Sequence, residues 1–243
     1  MRETAPEAAA SGNPAGGAVD VARANQATYD AIAADYDRGS GGAGPAWHEA
    51  EIDWLAAELG PGALVVDVGC GSGRAVRSMR ARALWACGFD LSAGMLRTGG
   101  LPGMCQADMR ALPLRSGVAD AVWCAAALLH VPRDDVARTL SGFARVLRPG
   151  GLLTFSVAEG AGEEWEPVSY ASDLRRWYVY HDEADMTGLL AAAGFDVLGT
   201  QRRSTHRRWL HFRARRRAER DAGAVGCGGA FQAAFAPVHR AWS

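Results

Sequence analysis

The sequence predicts an α/β fold with a doubly wound, mostly parallel sheet and helices on both faces. Short apolar strands alternate with helical segments along most of the chain. Several of these strands, such as VVDV and VWCAAAL, are continuous apolar runs, which are typical of parallel strands buried on both faces. A length of 243 residues suits one large domain with short tails.

Each element follows from a local pattern. Apolar residues at helical spacing predict helices over 21–38 and 47–59, and glycines end both of them. Ser92 and Asp182 have side chains of the kind that caps the start of a helix, so a helix is expected after each. Further helices are predicted over 74–82 and 134–147, and strands over 63–68, 83–90, 104–108, 118–128, 152–158, 195–201 and 207–215, the last two as an antiparallel pair.

Composition sets the domain boundaries. Residues 1–18 are rich in Ala, Gly, Pro and Ser and are expected to be disordered. The folded domain is expected over 19–215, and the Gly- and Ala-rich tail 216–243 has no clear pattern.

Charge and cysteine content exclude several classes of protein. The formal net charge of −1 argues against a protein that coats nucleic acid or an anionic membrane. No apolar run is long enough to span a bilayer, and the N-terminus does not resemble a secretory signal. The five cysteines have no metal-ligand spacing, so we expect no metal site and a reducing cytoplasm. All 26 basic residues are Arg, a bias typical of GC-rich bacterial genomes that removes Lys as a candidate base.

The glycine-rich segment DVGCGSGR follows the first predicted strand and opens a helix. Ligands of open parallel sheets bind at such carboxyl ends, where the strand order reverses. Gly69 and Gly71 would allow a tight turn and a close approach of the backbone to a ligand. Gly73 would let the helix start close to the strand, where its amides favour an anionic group.

The residues around this turn narrow the class of ligand that it could bind. Its spacing is GxGxG followed by Arg74, whereas the phosphate-binding GxGxxG form needs Gly at position 74. Asp67, Asp90 and Asp108 lie at the ends of three successive predicted strands, and a carboxylate after the second can accept both hydroxyls of a ribose. The alternatives are a turn that serves only chain reversal and a nicotinamide-binding turn.

With these residues, the chain resembles class I S-adenosylmethionine (SAM) dependent methyltransferases, in the branch that includes ubiquinone/menaquinone-type methyltransferases. The similar segments are VVDVGCGSGR, FDLSAGML, ADMRALPLRSGVADAVWCAAALLHVP and RVLRPGGLLTFSV, within about residues 25–215. The resemblance implies a Rossmann-like sheet of seven strands whose last strand is antiparallel. It implies SAM as cofactor and S-adenosylhomocysteine (SAH) as product.

The resemblance also implies roles for individual residues. Gly69, Gly71 and Gly73 would line the methionine part of SAM, with Asp67 behind them. Asp90 would bind the ribose, and the Leu128 backbone would lie near the methionyl amine. Leu91 and Met95 would pack on the adenine, and Asp108 and Met109 would contact its amino edge. Tyr29 and Tyr36 would belong to a lid over the cofactor. As alternatives, Leu91 and Met95 are helix core, and the two tyrosines are surface packing.

The sequence gives fewer indications of the residues that would bind the methyl acceptor. His130, at the end of the fourth strand, is the candidate general base, with His181 and His48 as weaker candidates. The segment 159–181 lies where this family commonly builds the acceptor pocket, and its rings and guanidinium groups suit a flat or anionic compound. Its candidate substrate residues are Trp165, Arg175, Arg176, Trp177, Tyr178 and His181. Alternatively, His130 is structural and RRWYVY is a linker packed on the sheet.

The sequence therefore predicts methyl transfer from SAM to a small-molecule acceptor, which could be a secondary metabolite, by in-line displacement. The basic run 202–220 contains nine Arg and one Glu, so a tRNA or other RNA acceptor is the alternative. A non-catalytic SAM-binding protein and a nicotinamide oxidoreductase are further alternatives. A monomer or a homodimer is expected.

Overall fold

The structure is a computed structural model that describes residues 20–39, 46–168 and 171–218. The predicted tail 1–18 lies outside the described residues, and so does the predicted tail 216–243 beyond residue 218. The helices are α1 (Val21–Gly39), α2 (Ala46–Leu59), α3 (Arg74–Ala81), α4 (Ala93–Gly99), α5 (Arg133–Val146) and α6 (Glu183–Ala192). The strands are β1 (Leu64–Val68), β2 (Trp85–Asp90), β3 (Met104–Gln106), β4 (Ala119–Ala125), β5 (Leu147–Glu159), β6 (Glu163–Val168), β7 (Ala171–His181), β8 (Phe195–Ser204) and β9 (Arg208–Arg216).

The main sheet has the predicted doubly wound topology. Strands β3, β2, β1, β4 and β5 are adjacent in that order and parallel, so the strand order reverses between β1 and β4. Strand β9 is antiparallel to both β5 and β8, which confirms the predicted antiparallel pair at the end of the domain. The carboxyl ends of β1 and β4 therefore flank the switch point, where the glycine turn lies.

The expected count of seven strands is wrong, because the described residues contain nine. The two additional strands, β6 and β7, form an antiparallel hairpin within the predicted acceptor-pocket segment 159–181. This hairpin joins the sheet through only two residue pairs between β7 and the end of β5. The other seven strands match those predicted, with shifted ends: β5 begins at Leu147 rather than at 152.

Hydrophobic cores cover both faces of the sheet. Successive residues of β1 point to opposite faces, and Val65 and Val66 are both fully buried in different clusters. One cluster packs α2 and α3 on the sheet, with Leu55 and Met79 at its centre. The other packs α5 and α6, with Phe143 prominent. This two-sided burial explains why the parallel strands are apolar throughout.

Four histidines are buried or half-buried. Burial lowers the pKa of His130, His181 and His211 to about 4 and that of His48 to about 3. Above pH 6.5 these residues are neutral in both the folded and the unfolded chain. Between about pH 6.5 and about pH 4, the unfolded chain binds protons that the folded chain does not.

We therefore expect the free energy of unfolding to fall as the pH is lowered from about 6.5 to about 4, by up to about 1.4 kcal/mol per pH unit for each histidine. Thermal unfolding at a series of pH values measures this slope. His181→Phe should make the slope shallower, whereas the same change at the exposed His206 should not. Equal slopes in the two variants and the parent would contradict the assignment.

Candidate active site

A cavity of about 860 Å³ lies at the carboxyl edge of the sheet, above the switch point between β1 and β4. Its floor is formed by the glycine turn and the residues that follow β2, β3 and β4, and its roof by α1. Ten of the predicted site residues line it: Tyr29, Tyr36, Gly69, Gly71, Asp90, Leu91, Met95, Asp108, Met109 and His130.

The glycine turn approaches its neighbours so closely that side chains would collide. Gly69 has a φ of +74°, and a Cβ atom on it would lie 2.2 Å from the Cβ of Ala127. Gly71 has a φ of +56°, and its Cβ would point toward the Met95 methyl at 3.1 Å. Both the backbone conformation and the space therefore require glycine here.

Asp90 connects the end of β2 to this turn. Its Oδ2 accepts a hydrogen bond from the Gly71 amide at 2.7 Å, and its Oδ1 accepts one from the Ser92 amide at 2.8 Å. Burial raises the pKa of the Asp90 carboxyl, and the hydrogen bonds from the Ser92 and Gly71 amides oppose that shift. Each carboxylate oxygen keeps capacity for a further donor, as binding of a ribose requires.

Asp108 lies two residues after the end of β3 and caps a short 3-10 helix (Met109–Ala111). Its carboxylate is paired with Arg110, whose Nη2 is 2.6 Å from Oδ2, and Arg110 is also 3.0 Å from Asp135. Burial acts to raise the pKa of Asp108, but the hydrogen bonds from Arg110 lower it overall. Asp108 is therefore held as a carboxylate with a fixed orientation.

Helix α1 is fastened over the cavity on two sides. On one side, Asp30 Oδ1 accepts hydrogen bonds from the Ser92 hydroxyl at 2.6 Å and the Gly94 amide at 2.7 Å. On the other side, the Trp177 amide donates to Asn25 Oδ1 at 2.7 Å, and the Thr28 hydroxyl donates to the Arg175 carbonyl at 2.6 Å. Both contacts place α1 between α4 and the hairpin.

His130 meets this roof from below, in the short 3-10 helix Leu128–His130 that follows β4. Its Nε2 is 2.7 Å from the Tyr29 hydroxyl, and its Nδ1 is 2.7 Å from the Trp177 carbonyl oxygen. The Tyr29 ring also packs edge-on against Tyr36, with ring centroids 6.1 Å apart. His130 therefore links α1, the end of β4 and the hairpin.

Comparisons with known proteins find methyltransferases among the relatives of this chain. Residues 66–155 match the family model described as methyltransferase domain. The chain is 35% identical over 130 residues to a malonyl-[acyl-carrier protein] O-methyltransferase of Pseudescherichia vulneris, covering 51% of each chain. It is 34% identical over 115 residues to a ubiquinone biosynthesis O-methyltransferase of Xanthomonas oryzae pv. oryzae, covering 43% of this chain and 47% of that one. The chain thus spans about half the length of these curated relatives.

The fold is shared with solved methyltransferase structures. The crystal structure of Burkholderia thailandensis 1,6-didemethyltoxoflavin-N1-methyltransferase, with bound 1,6-didemethyltoxoflavin and SAH, aligns with a TM-score of 0.67 at 21% identity. The alignment covers 85% of this chain and 93% of that one. Residues 66–155 thus match a methyltransferase domain, within a fold that is shared with a solved methyltransferase structure.

Three predicted cofactor residues of the methyltransferase domain do not line the cavity. Asp67 is buried beneath the turn with no hydrogen-bond partner for Oδ2 among the described residues, and burial, followed by the charge of Asp90, raises its pKa. Gly73 precedes α3, and a Cβ there would meet the Met104 sulfur at 2.5 Å. Leu128 is fully buried below the floor.

The predicted substrate residues lie outside the cavity lining as well. Arg176, Trp177 and Tyr178 are on β7 behind His130, whose ring is 4.9 Å from that of Tyr178. Arg175 contributes a backbone carbonyl to Thr28, and the Trp165 ring packs edge-on against Trp177 on the far side of the hairpin. His181 is buried, and its nearest carboxylate is Asp185 at 3.9 Å. The weaker candidate His48 packs against Trp47 and Trp123.

Sequence reasoning missed the residues that fasten α1. Asn25, Thr28 and Ile32 are buried at spacings of three and four residues, so they share one helix face with Tyr29 and Tyr36. Two polar side chains on an otherwise apolar buried face were the available signal, because buried polar groups need partners. Arg110, which also lines the cavity, gave no comparable signal.

We expect Gly71→Val to weaken binding of SAM to the methyltransferase domain at least about tenfold, roughly 1.4 kcal/mol or more. The new side chain would strain a left-handed residue, press on Met95 and occupy the turn. Calorimetric titration with SAM measures the loss. The matched control is Gly117→Val, which carries the same strain at a φ of +70° but has no atom within 4 Å. Unchanged affinity in Gly71→Val would remove the turn from the site.

Proposed function

We propose that the protein transfers the methyl group of SAM to a small-molecule acceptor bound beneath α1 and releases SAH. The observation that carries this proposal is the cavity itself, which brings the glycine turn, Asp90 and Asp108 together at the ends of three adjacent strands. When bound, SAM supplies a methyl group on a positively charged sulfur, so displacement needs alignment of the acceptor more than acid–base help.

We propose a direction for the cofactor in this cavity. The methionine part would lie against the glycine turn and Leu128, and the adenosine along the segment from Asp90 to Met109. We propose that Asp90 binds the ribose, that Leu91 and Met95 enclose the adenine, and that Asp108 and Met109 address its amino edge. Asp67, buried under the turn, would hold the loop, and Gly73 would let α3 start close to β1.

The acceptor would lie between α1 and the segment after β4. Ala22, Gln26, Val131 and Pro132 line this part of the cavity, together with His130. Tyr29 and Tyr36 would form the lid. The residues of the hairpin named above would act indirectly, by fixing α1 and His130. We further propose in-line displacement and an acceptor from secondary metabolism; the names of the O-methyltransferase relatives support a small organic acceptor.

An RNA acceptor has less support from the geometry of the basic segment. Several of its arginines are already paired with carboxylates of this chain. These pairs are Arg202 with Glu159 at 2.8 Å, Arg207 with Glu166 at 2.6 Å, Arg213 with Glu51 at 2.7 Å, and Arg217 with Asp196 at 2.9 Å. No described helix is long and apolar enough to cross a membrane.

Calorimetric titration with SAM, SAH and NADH tests the cofactor. We expect SAM and SAH to bind and NADH not to bind. Asp90→Ala should weaken SAH binding by about 1–3 kcal/mol, because it removes hydrogen bonds to a charged partner. The control is Asp53→Ala, which changes an exposed carboxylate on α2 that pairs with Arg82. Binding of NADH without SAM would overturn the proposal.

A further inference from the structure

The protonation state of His130 follows from its two hydrogen bonds. The Trp177 carbonyl oxygen can only accept, so the Nδ1 atom 2.7 Å away carries the proton and donates it. In the neutral ring, Nε2 is then an acceptor. The Tyr29 hydroxyl, 2.7 Å from Nε2, must therefore donate to it. The free lone pair of His130 is thus directed at Tyr29.

The Tyr29 oxygen is poised between the cavity and His130. It donates its proton to His130, and Nη1 of Arg176 donates to it at 3.4 Å. A phenolic oxygen can accept two hydrogen bonds, so one position remains for a donor in the cavity that Tyr29 lines. An acceptor in the cavity can therefore reach His130 Nε2 through Tyr29.

Few charged side chains surround the acceptor end of the cavity. Among the described residues, the charged side chains that line the cavity are Asp90, Asp108 and Arg110. The two carboxylates belong to the cofactor end, and Arg110 is paired with both Asp108 and Asp135. Arg176, which lies outside the lining, reaches the Tyr29 oxygen with its Nη1 at 3.4 Å.

We propose that the acceptor is an organic compound that is methylated on a hydroxyl group, and that Tyr29 receives the hydroxyl proton while passing its own proton to His130. This inference rests on the proposed function and names its substrate class. It also makes Tyr29, rather than His130, the residue that takes the proton from the acceptor, with His130 as the final base.

The step balances without a further reactant. The acceptor oxygen forms a bond to the methyl carbon, and the methyl–sulfur bond breaks with its electron pair left on sulfur. The hydroxyl proton moves to the Tyr29 oxygen as the Tyr29 proton moves to Nε2 of His130. The resulting imidazolium keeps its proton on Nδ1, which donates a hydrogen bond to the Trp177 carbonyl oxygen. It returns its other proton to Tyr29, and so to solvent, when the product leaves.

The surroundings of His130 make it a weak base that is unprotonated at neutral pH and can therefore accept a proton. Burial is the main cause that lowers the pKa of His130 to about 4. The hydrogen bond to the Trp177 carbonyl and the charge of Glu166 act to raise this pKa, whereas the charges of Arg176 and Arg207 act to lower it. The titratable rings that face it are Tyr29 from α1 and Tyr178 from β7. A weak base is sufficient, because the hydroxyl becomes strongly acidic as its oxygen gains the methyl group.

The test for substrate class uses matched probes. The protein with SAM is offered the hydroxyl, amino and carboxyl derivatives of benzene and of naphthalene, and SAH release and product mass are measured. We expect methylation of the hydroxyl compounds at least about tenfold faster than of the amines and carboxylates. Preference for amines or carboxylates, or no turnover of any hydroxyl compound, would overturn the proposal.

The proton path is tested with Tyr29→Phe and His130→Asn on the best hydroxyl probe. We expect each to lower kcat by roughly 10²–10⁴-fold, the usual contribution of general base catalysis. Between about pH 6 and about pH 9, kcat of the parent should be flat. In the variants it should rise about tenfold per pH unit up to the pKa of the probe, because only the ionised probe then reacts.

The control is Thr28→Val, which removes a neighbouring fastening of α1 without touching the proton path. It should keep the flat pH profile of the parent. Rising profiles in all three variants, or flat profiles in Tyr29→Phe and His130→Asn, would reduce Tyr29 and His130 to structural residues. SAH titration separates the two proposals. If the parent protein does not bind SAH, the proposed function is refuted. If it binds SAH but the variants have flat pH profiles, only the proton path is refuted.

Discussion

Asp30 accepts hydrogen bonds from the Ser92 hydroxyl and the Gly94 amide, and this contact fixes one side of α1 over the carboxyl edge of the sheet. Gly94 is required at the contact, because a Cβ there would lie 2.8 Å from the Asp30 backbone. Ser92 also donates its amide to Asp90, so the same short segment holds both the roof and the proposed ribose carboxylate. The shape of the cavity depends on this junction.

The hairpin provides the opposite support and determines the chemistry of His130. The Trp177 amide donates a hydrogen bond to Asn25, and the Trp177 carbonyl accepts one from Nδ1 of His130. Two guanidinium groups lie over the Tyr178 ring, Arg176 at 5.0 Å and Arg207 at 4.3 Å from its centroid. Arg207 is in turn bound by Glu166. An element that only borders the sheet therefore sets the direction of a proton in the site.

The sequence predicted the elements whose signal is local. Apolar runs, Ser92 and Asp182 as helix caps, and the glycine turn each depend on neighbouring residues, and the structure places them as expected. The hairpin β6–β7 was missed because EEWEPV is polar and contains Pro167, and its strands border the sheet instead of filling its core. Its stabilising contacts come from α1 and from Arg207, which are distant in sequence.

The floor of the site was predictable, and its roof was not. Carboxyl ends of parallel strands converge whatever the loops contain, so Asp90 and Asp108 could be placed beside the glycine turn in advance. The hydrogen bond between Tyr29 and His130 joins residues 101 positions apart, and the one between Asn25 and Trp177 joins residues 152 positions apart. Such contacts depend on how α1 packs, which no local pattern specifies.

A crystal structure of the protein with SAH tests the central claim most directly. It should show the ribose hydroxyls within hydrogen-bond distance of Asp90, the homocysteine chain along Gly69 and Gly71, and the sulfur facing the space next to Tyr29. A cofactor bound elsewhere, or one whose sulfur points away from Tyr29 and His130, would contradict the account.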